Sequence, residues 1–239
     1  LQPSYHNNEI GIGRDDSQAL IQKQSHAFDD NYRLFLGPLA ATNAANASAF
    51  LNNISYVLMG QNTDGGCATT TSNLEAPAGI TSRMAKEWKV TKTNFTQAFN
   101  WDLKVDTCQL AGTSVGPVTA SNFRLLVDDD GNFGNALVYA SGAGLNMTYL
   151  NGRVTVTGIS NAIIPDNSTR YLTIAYNAPT YSLSGNTAIC VGDSALLTLS
   201  INVPGTFNVS YSNGTTVTNL TNVSNGYTFY VYPTTTTTY

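Results

Sequence analysis

Charge is what this sequence has least of. Only 11% of its 239 residues are Asp, Glu, Lys or Arg, against about 25% in an average globular protein. The net charge is −4, which excludes a nucleic-acid binder, since that affinity rests on a basic surface. No stretch approaches the roughly 18 consecutive apolar residues of a membrane-crossing helix, so no membrane span is expected. Histidine is nearly absent: His6 and His26 are the two present. No phosphate loop, Cys-x-x-Cys pair or His-rich metal set appears. Lysine is sparse, in keeping with an extracellular, protease-exposed surface. The sequence opens at Leu1 without methionine or a signal peptide and closes within VYPTTTTTY, which reads as a piece of a longer protein.

Cysteine is scarce as well, at three residues. Cys67 follows a Gly-rich turn and Cys108 follows a strand. The two either pair as one disulfide, which requires Cα atoms about 4.4–6.8 Å apart, or remain free buried thiols. Cys190 is then odd.

What fills the sequence instead is Thr, Ser, Asn and Gly, the mixture of half-exposed strands joined by turns. Thirteen Tyr and nine Phe supply enough apolar area for a real core and exclude disorder. Period-two alternation recurs and helical periodicity is scarce. Met84, Trp88 and Val90 oppose Arg83, Glu87 and Lys89. Phe123, Leu125 and Val127 alternate with Arg124 and Asp128. Val154 and Val156 alternate with threonines, and Leu172, Ile174 and Tyr176 repeat the pattern. Asp130-Gly131-Asn132, Asn151-Gly152 and Pro165-Asp166-Asn167 mark turns between such runs. Leu39 to Leu51, rich in Ala and Asn, holds either one short helix or an irregular loop.

The texture changes near Asn177-Ala178-Pro179. Beyond it Leu197, Leu199 and Ile201 alternate with polar residues, Phe207, Val209 and Tyr211 follow, and Asn213-Gly214 is a strong hairpin signal. Tyr227, Phe229 and Val231 make a further strand. Short strands at this spacing indicate an immunoglobulin-like sandwich with at least one strand missing. The expected fold is all-β: a large β-sandwich (jelly-roll or immunoglobulin-like) over residues 1–178, then a truncated immunoglobulin-like Greek-key domain over 179–239.

The best candidate site is Asp128-Asp129-Asp130-Gly131-Asn132. Oxygen ligands at alternate positions, here Asp128, Asp130 and Asn132, suit a hard cation, and calcium is the cofactor that the pattern would take. The spacing departs from an EF-hand because Gly131 sits between ligands and no Glu follows at the twelfth position. The alternative is a solvated hairpin tip closed by turn bonds. Asp15 and Asp16, beside Arg14, read as a salt bridge or turn network that fastens loops, and would meet the Asp128–Asn132 turn if calcium bound there. Gly112-Thr113-Ser114-Val115-Gly116 matches the hydrolase elbow, but that motif needs a strand before it and a helix after it. Pro117 and a coil-then-strand pattern follow instead, so no enzyme is expected. Asn-x-Ser/Thr sequons, as at Asn94, Asn146 and Asn213, arise by chance in so Asn- and Thr-rich a chain. The Thr234–Thr238 run reads as continued strand.

Three phrases in order carry a resemblance: GIGRDDSQALIQKQS (Gly11–Ser25), APAGITSRMAKEWKV (Ala76–Val90) and FRLLVDDDGNF (Phe123–Phe133). Together they resemble a domain recurrent in large secreted surface proteins of Bacteroidota, with Met59 standing where the resemblance leads one to expect Trp. ICVGDSALLTL (Ile189–Leu199) and YPTTTTTY (Tyr232–Tyr239) resemble the opening and late strands of immunoglobulin-like repeats common in the same proteins. The resemblance implies that Cys190 pairs with a cysteine beyond Tyr239. It further implies export by the type IX secretion machinery, and a role as an adhesin or filament component on the cell surface. Asp193-Ser194-Ala195 is similar to the short O-glycosylation signal of such proteins, and equally an ordinary turn before a strand.

The expectation is therefore a non-catalytic, extracellular structural or adhesive module. Its partners would be neighbouring domains of the same longer chain, the secretion machinery, and surface glycans or other cells. The main alternative is a glycan-binding module using exposed aromatics such as Trp101 or Tyr149. A hydrolase built on Ser114 with His6 or His26 is a remote third.

Overall fold

Some strands of the computed structural model alternate between buried and open positions while others are buried on both faces. The structure describes residues 3–62, 75–80, 82–105, 118–177, 179–185, 188–190, 192–202 and 205–239. Cys67, Cys108 and the Gly112–Gly116 motif lie outside the described residues. The protein is almost entirely β, with antiparallel sheets packed as sandwich-like layers and no barrel. It divides into two compact units, Leu1–Asn177 and Ala178–Tyr239.

The first unit begins with β1 (Asn7–Asp15), β2 (Leu20–Gln22), β3 (Gln24–His26), β4 (Tyr32–Phe35) and β5 (Ser55–Gln61). It continues with β6 (Trp88–Thr93), β7 (Phe99–Lys104), β8 (Phe123–Asp128) and β9 (Leu137–Tyr139), then β10 (Asn146–Leu150), β11 (Arg153–Ile159) and β12 (Thr169–Tyr176). Among the described residues one sheet has the order β2-β1-β5-β6-β12-β8-β9 and the facing sheet β10-β11-β7-β4-β3. The pairs β1-β5, β6-β12, β12-β8, β11-β7 and β7-β4 are not consecutive, so much of the sandwich is held by contacts distant in sequence. The Leu39–Leu51 stretch is irregular. The Asn46 amide donates to the Leu36 carbonyl at 3.0 Å and its oxygen accepts from the Ser48 amide at 2.9 Å, fixing a loop that apolar periodicity cannot fix.

The core lies between the sheets. Val57, Met59, Trp88, Val90, Leu125, Leu172 and Ile174 come from one layer, and Tyr32, Leu34, Phe99, Trp101, Val154 and Val156 from the other; all are buried. Trp88 and Trp101 meet edge-to-face at 4.9 Å between ring centroids, and Tyr32 meets Trp88 at 5.9 Å. This joins the layers through ring contacts worth about 0.5–1.5 kcal/mol each beyond their buried area. Trp101 is 0% exposed, so the expectation that it offers a glycan platform is corrected: the ring is consumed by the core. Tyr149 is half-buried and tilts against Phe123 at 5.5 Å.

Strand direction fixes where the chain enters and leaves this unit. β1 is antiparallel to β5, β5 to β6, and β6 to β12, with Asn7 level with Gln61, Gln61 with Trp88, and Trp88 with Leu172. The chain therefore enters β1 and leaves β12 at the same end of the sheet.

A bulge shapes β11, where the register with β7 shifts between Val156 and Ile159. Gly158 sits there at φ +84°, and a Cβ on it would lie 2.0 Å from the Gly144 carbonyl oxygen. Backbone cannot yield as a side chain can, so Gly158→Ala is expected to cost about 3 kcal/mol from positive-φ strain plus the clash. A shift of the urea midpoint at constant m-value would register it.

The second unit contains β13 (Tyr181–Gly185), β14 (Ala195–Ile201), β15 (Phe207–Ser212), β16 (Val217–Val223) and β17 (Tyr227–Val231). Among the described residues these form a β13-β14-β17 sheet and a β15-β16 hairpin, whose turn holds Asn213-Gly214. Leu199, Ile201 and Val223 are packed by Leu183, Phe207, Val209 and Leu220, which brings the two layers face to face. Cys190 is free and exposed.

Candidate functional site

Asp128 ends β8 on the side away from the main core, in step with Arg124 and Leu126. It is nevertheless only 3% exposed, because the chain after it folds back and packs Phe133 and Ala136 over Leu126 and Ala175. The turn is built from Asp and Asn side chains in relay. Asp128 Oδ1 accepts from the Asp130 amide at 3.0 Å and the Gly131 amide at 2.5 Å. Asp130 Oδ1 accepts from the Asn132 amide at 2.7 Å, and Asn132 Oδ1 from the Gly134 amide at 3.0 Å. Asn135, with its amide oriented to match donors to acceptors, donates to Asp128 Oδ2 at 3.3 Å. Gly131 takes φ +95° over the Tyr171 ring.

Carboxylate oxygens of Asp128, Asp129 and Asp130 lie within 4.8 Å of one another. Burial, and then the Asp130 charge beside it, push the Asp128 carboxyl above its ordinary value of 3.8 against the pull of the Gly131 and Asp130 amides. The donor set is chemically right for a hard cation. Yet one oxygen each of Asp128, Asp130 and Asn132 already closes the turn, so the loop holds its shape by its own hydrogen bonds. Asp129, passed over in the alternate-position pattern, is the third carboxylate of the cluster, whereas Asn132 caps Gly134.

The other acidic cluster is separate. Arg14 forms a two-pronged pair with Asp16, both bonds 2.8 Å. Asp15 accepts from the Ser17 amide and hydroxyl and from the Tyr56 hydroxyl at 2.9 Å. These bonds fasten the β1–β2 turn to β5. Strands β5, β6 and β12 stand between β1 and β8, so the expected meeting of Asp15 and Asp16 with the Asp128 turn is corrected.

Two features gave no advance signal. An open groove of about 570 Å³ lies beside β3 and β4, lined by Gln22, Gln24, His26, Asp30, Arg33 and residues 39–43. It is rich in amides and offers Leu39 as its large apolar side chain. Nearby, on the outer face of the five-stranded sheet, Asp102 is nearly buried. It accepts from Arg153 Nε at 2.6 Å and Thr155 Oγ1 at 2.9 Å. His6 and His26 are both exposed.

A family model described as a domain of unknown function (DUF8202) matches residues 1–158. The chain belongs to this family. The DUF8202 match stops within β11, whereas β12 lies hydrogen-bonded between β6 and β8. The sandwich thus takes in residues beyond those that the DUF8202 model spans. No curated protein matches the chain.

Proposed function

We propose that this chain is a non-catalytic, extracellular structural module of a large, adhesive multidomain bacterial surface protein, in which it displays a binding region held elsewhere. The observation that carries the reading is the sealed Trp88–Trp101 pair: the large aromatics stiffen the sandwich instead of presenting a ligand platform. Entry and exit at one end of the first unit favour a lobe displayed from the longer protein over an in-line rod. Its partners in this reading are neighbouring domains of that chain, the type IX secretion machinery during export, and other cells. The chemistry of the Asp128 cluster adds calcium as a stabilising ion at the turn.

The second reading, a glycan-binding module, is favoured by the amide-rich groove beside β3, whose Gln22, Gln24 and Arg33 suit sugar hydroxyls. A glycan array followed by titration of the purified protein separates the two. The structural reading expects no saturable binding. Saturable binding that Gln24→Ala abolishes would replace it with the second.

Calcium is tested by melting. An acid with a raised folded pKa holds its proton longer in the folded than in the unfolded state. Its penalty on folding is therefore present at neutral pH and fades as pH falls through the folded value toward 3.8. Asp128→Asn keeps the acceptor for the two amides and removes that charge. Without calcium the variant is expected to melt higher than the parent. With calcium at 100 times its dissociation constant the parent gains about 2.7 kcal/mol, and the variant loses that gain. Identical parent melting curves with and without calcium would remove the ion from the account.

A further inference from the structure

Lys92 is a lysine in the wrong place for a surface charge. It lies near the end of β6 with its side chain on the core side, level with Val57 across the β5–β6 pair, and is 1% exposed. Buried ammonium groups are ordinarily matched by a carboxylate. Among the described residues, no carboxylate lies within ion-pair distance of Lys92. Its Nζ contacts the side-chain oxygen of Asn161, donates to the Ile164 carbonyl at 3.0 Å, and lies 5.5 Å from the centre of the Phe95 ring. Both oxygen partners belong to the connection between β11 and β12. Burial pushes the amine down to about 8 from 10.5, against the opposing influence of Asp166, so a substantial neutral fraction exists in mild alkali.

The geometry points to an intramolecular amide cross-link, in which Lys92 Nζ attacks the side-chain carbonyl carbon of Asn161 and joins β6 covalently to the β11–β12 connection. A desolvated amine held against a primary amide meets the requirements of a lysine nucleophile. In the step, the bond from Nζ to Asn161 Cγ forms and the Cγ–Nδ2 bond breaks. The neutral amine gives one proton to the departing Nδ2, which leaves as ammonia. The product is a secondary amide, with nothing oxidised or reduced and no co-reactant consumed. Asp166 is fixed by the Phe95 amide at 2.6 Å and the Asn167 amide at 2.9 Å. Its negative charge is felt at Lys92 and favours the positive nitrogen that forms as Nζ adds to Asn161 Cγ, before the proton passes to the departing Nδ2. The inference does not rest on the surface-protein reading: a cross-link can form in a protein of any function.

Intact-mass measurement of the purified full chain, denatured after incubation in mild alkali, tests it. The expected mass is about 17 Da below that of the sequence, one ammonia lost, with a peptide linking the Lys92 and Asn161 segments on digestion. Lys92→Met and Asn161→Ala should each run at their full sequence masses. Lys92→Met places an apolar side chain of similar length in the same site, so a folded control is available. A parent at full mass after incubation, or one about 1 Da heavier through hydrolysis of the Asn161 amide, would overturn the proposal. So would a 17 Da loss that persists in Lys92→Met, which would place it in a succinimide at Asn151-Gly152 or Asn213-Gly214 instead.

Discussion

Trp101→Ala is expected to destabilise the first unit by about 3–5 kcal/mol, the range for emptying a buried tryptophan site. The side chain is fully buried, meets Trp88 at 4.9 Å across the sandwich, and sits level with Leu34 and Val156 on the strands at either side. Backbone pairing on both flanks keeps the layers from collapsing into the space, so the cavity persists. For a unit of this size each kcal/mol moves the melting temperature by about 2–4 °C, and a fall of roughly 10 °C should be seen by thermal unfolding. Tyr149→Ala, by contrast, removes a half-buried ring and should cost far less. A Trp101→Ala loss below about 1 kcal/mol would mean that the ring is exposed and free to meet a ligand.

Asp102→Ala carries the second large effect. Asp102 stands between Arg33 and Thr155 in register on β4 and β11, and its carboxylate is the main partner of Arg153. Without it Arg153 retains the Asp30 carbonyl at 3.0 Å and the Asp30 carboxylate at 3.6 Å. Removing one member of a buried pair costs about 3–5 kcal/mol. Because Arg153 keeps part of its company here, about 2–3 kcal/mol is expected. Asp102→Asn retains an acceptor for Thr155 and should fall between the parent and Asp102→Ala in urea midpoint. Equal midpoints for all three proteins would show that the network is solvent-screened decoration.

The main layers were legible in the sequence where one face of a strand is wet. Val154 and Val156 alternate with threonines because only one side of β11 meets the core. In β12 the alternation of Leu172, Ile174 and Tyr176 conceals Thr173 and Ala175, which are buried as well. The pattern misled at β8, where Leu126 and Asp128 are also buried. A single 3-10 turn, Phe133–Asn135, and the chain beside it cover that outer face, and so short an element leaves no period. The Arg14–Asp15–Asp16 signature was readable as a turn lock because the Arg14–Asp16 and Asp15–Ser17 bonds are close in sequence, whereas the Tyr56 bond to Asp15 spans 41 positions and was not. Lys92 and Asn161 were not readable as a pair: 69 positions separate them, and each alone resembles an ordinary surface residue. Strand order brings them together.

That contact also bears on mechanics. Tension applied where the chain enters β1 and leaves β12 would peel strands from one end of the sheet, because both lie at that end. Lys92 lies farther along β6, level with Val57, whereas Trp88 is level with Asn7. A covalent bond there would arrest peeling at residues 92 and 161 and shield everything between them. A displayed lobe with a weak opening geometry gains most from such a stop.

The most direct test of the structural role is an exchange in cells that produce the longer protein. Residues 1–177 would be replaced by an unrelated β-sandwich of similar length and adhesion measured at matched surface abundance. A structural lobe predicts adhesion close to that of the parent. Loss of adhesion with the foreign sandwich correctly folded and displayed would contradict the account, because it would place ligand recognition in the first unit itself.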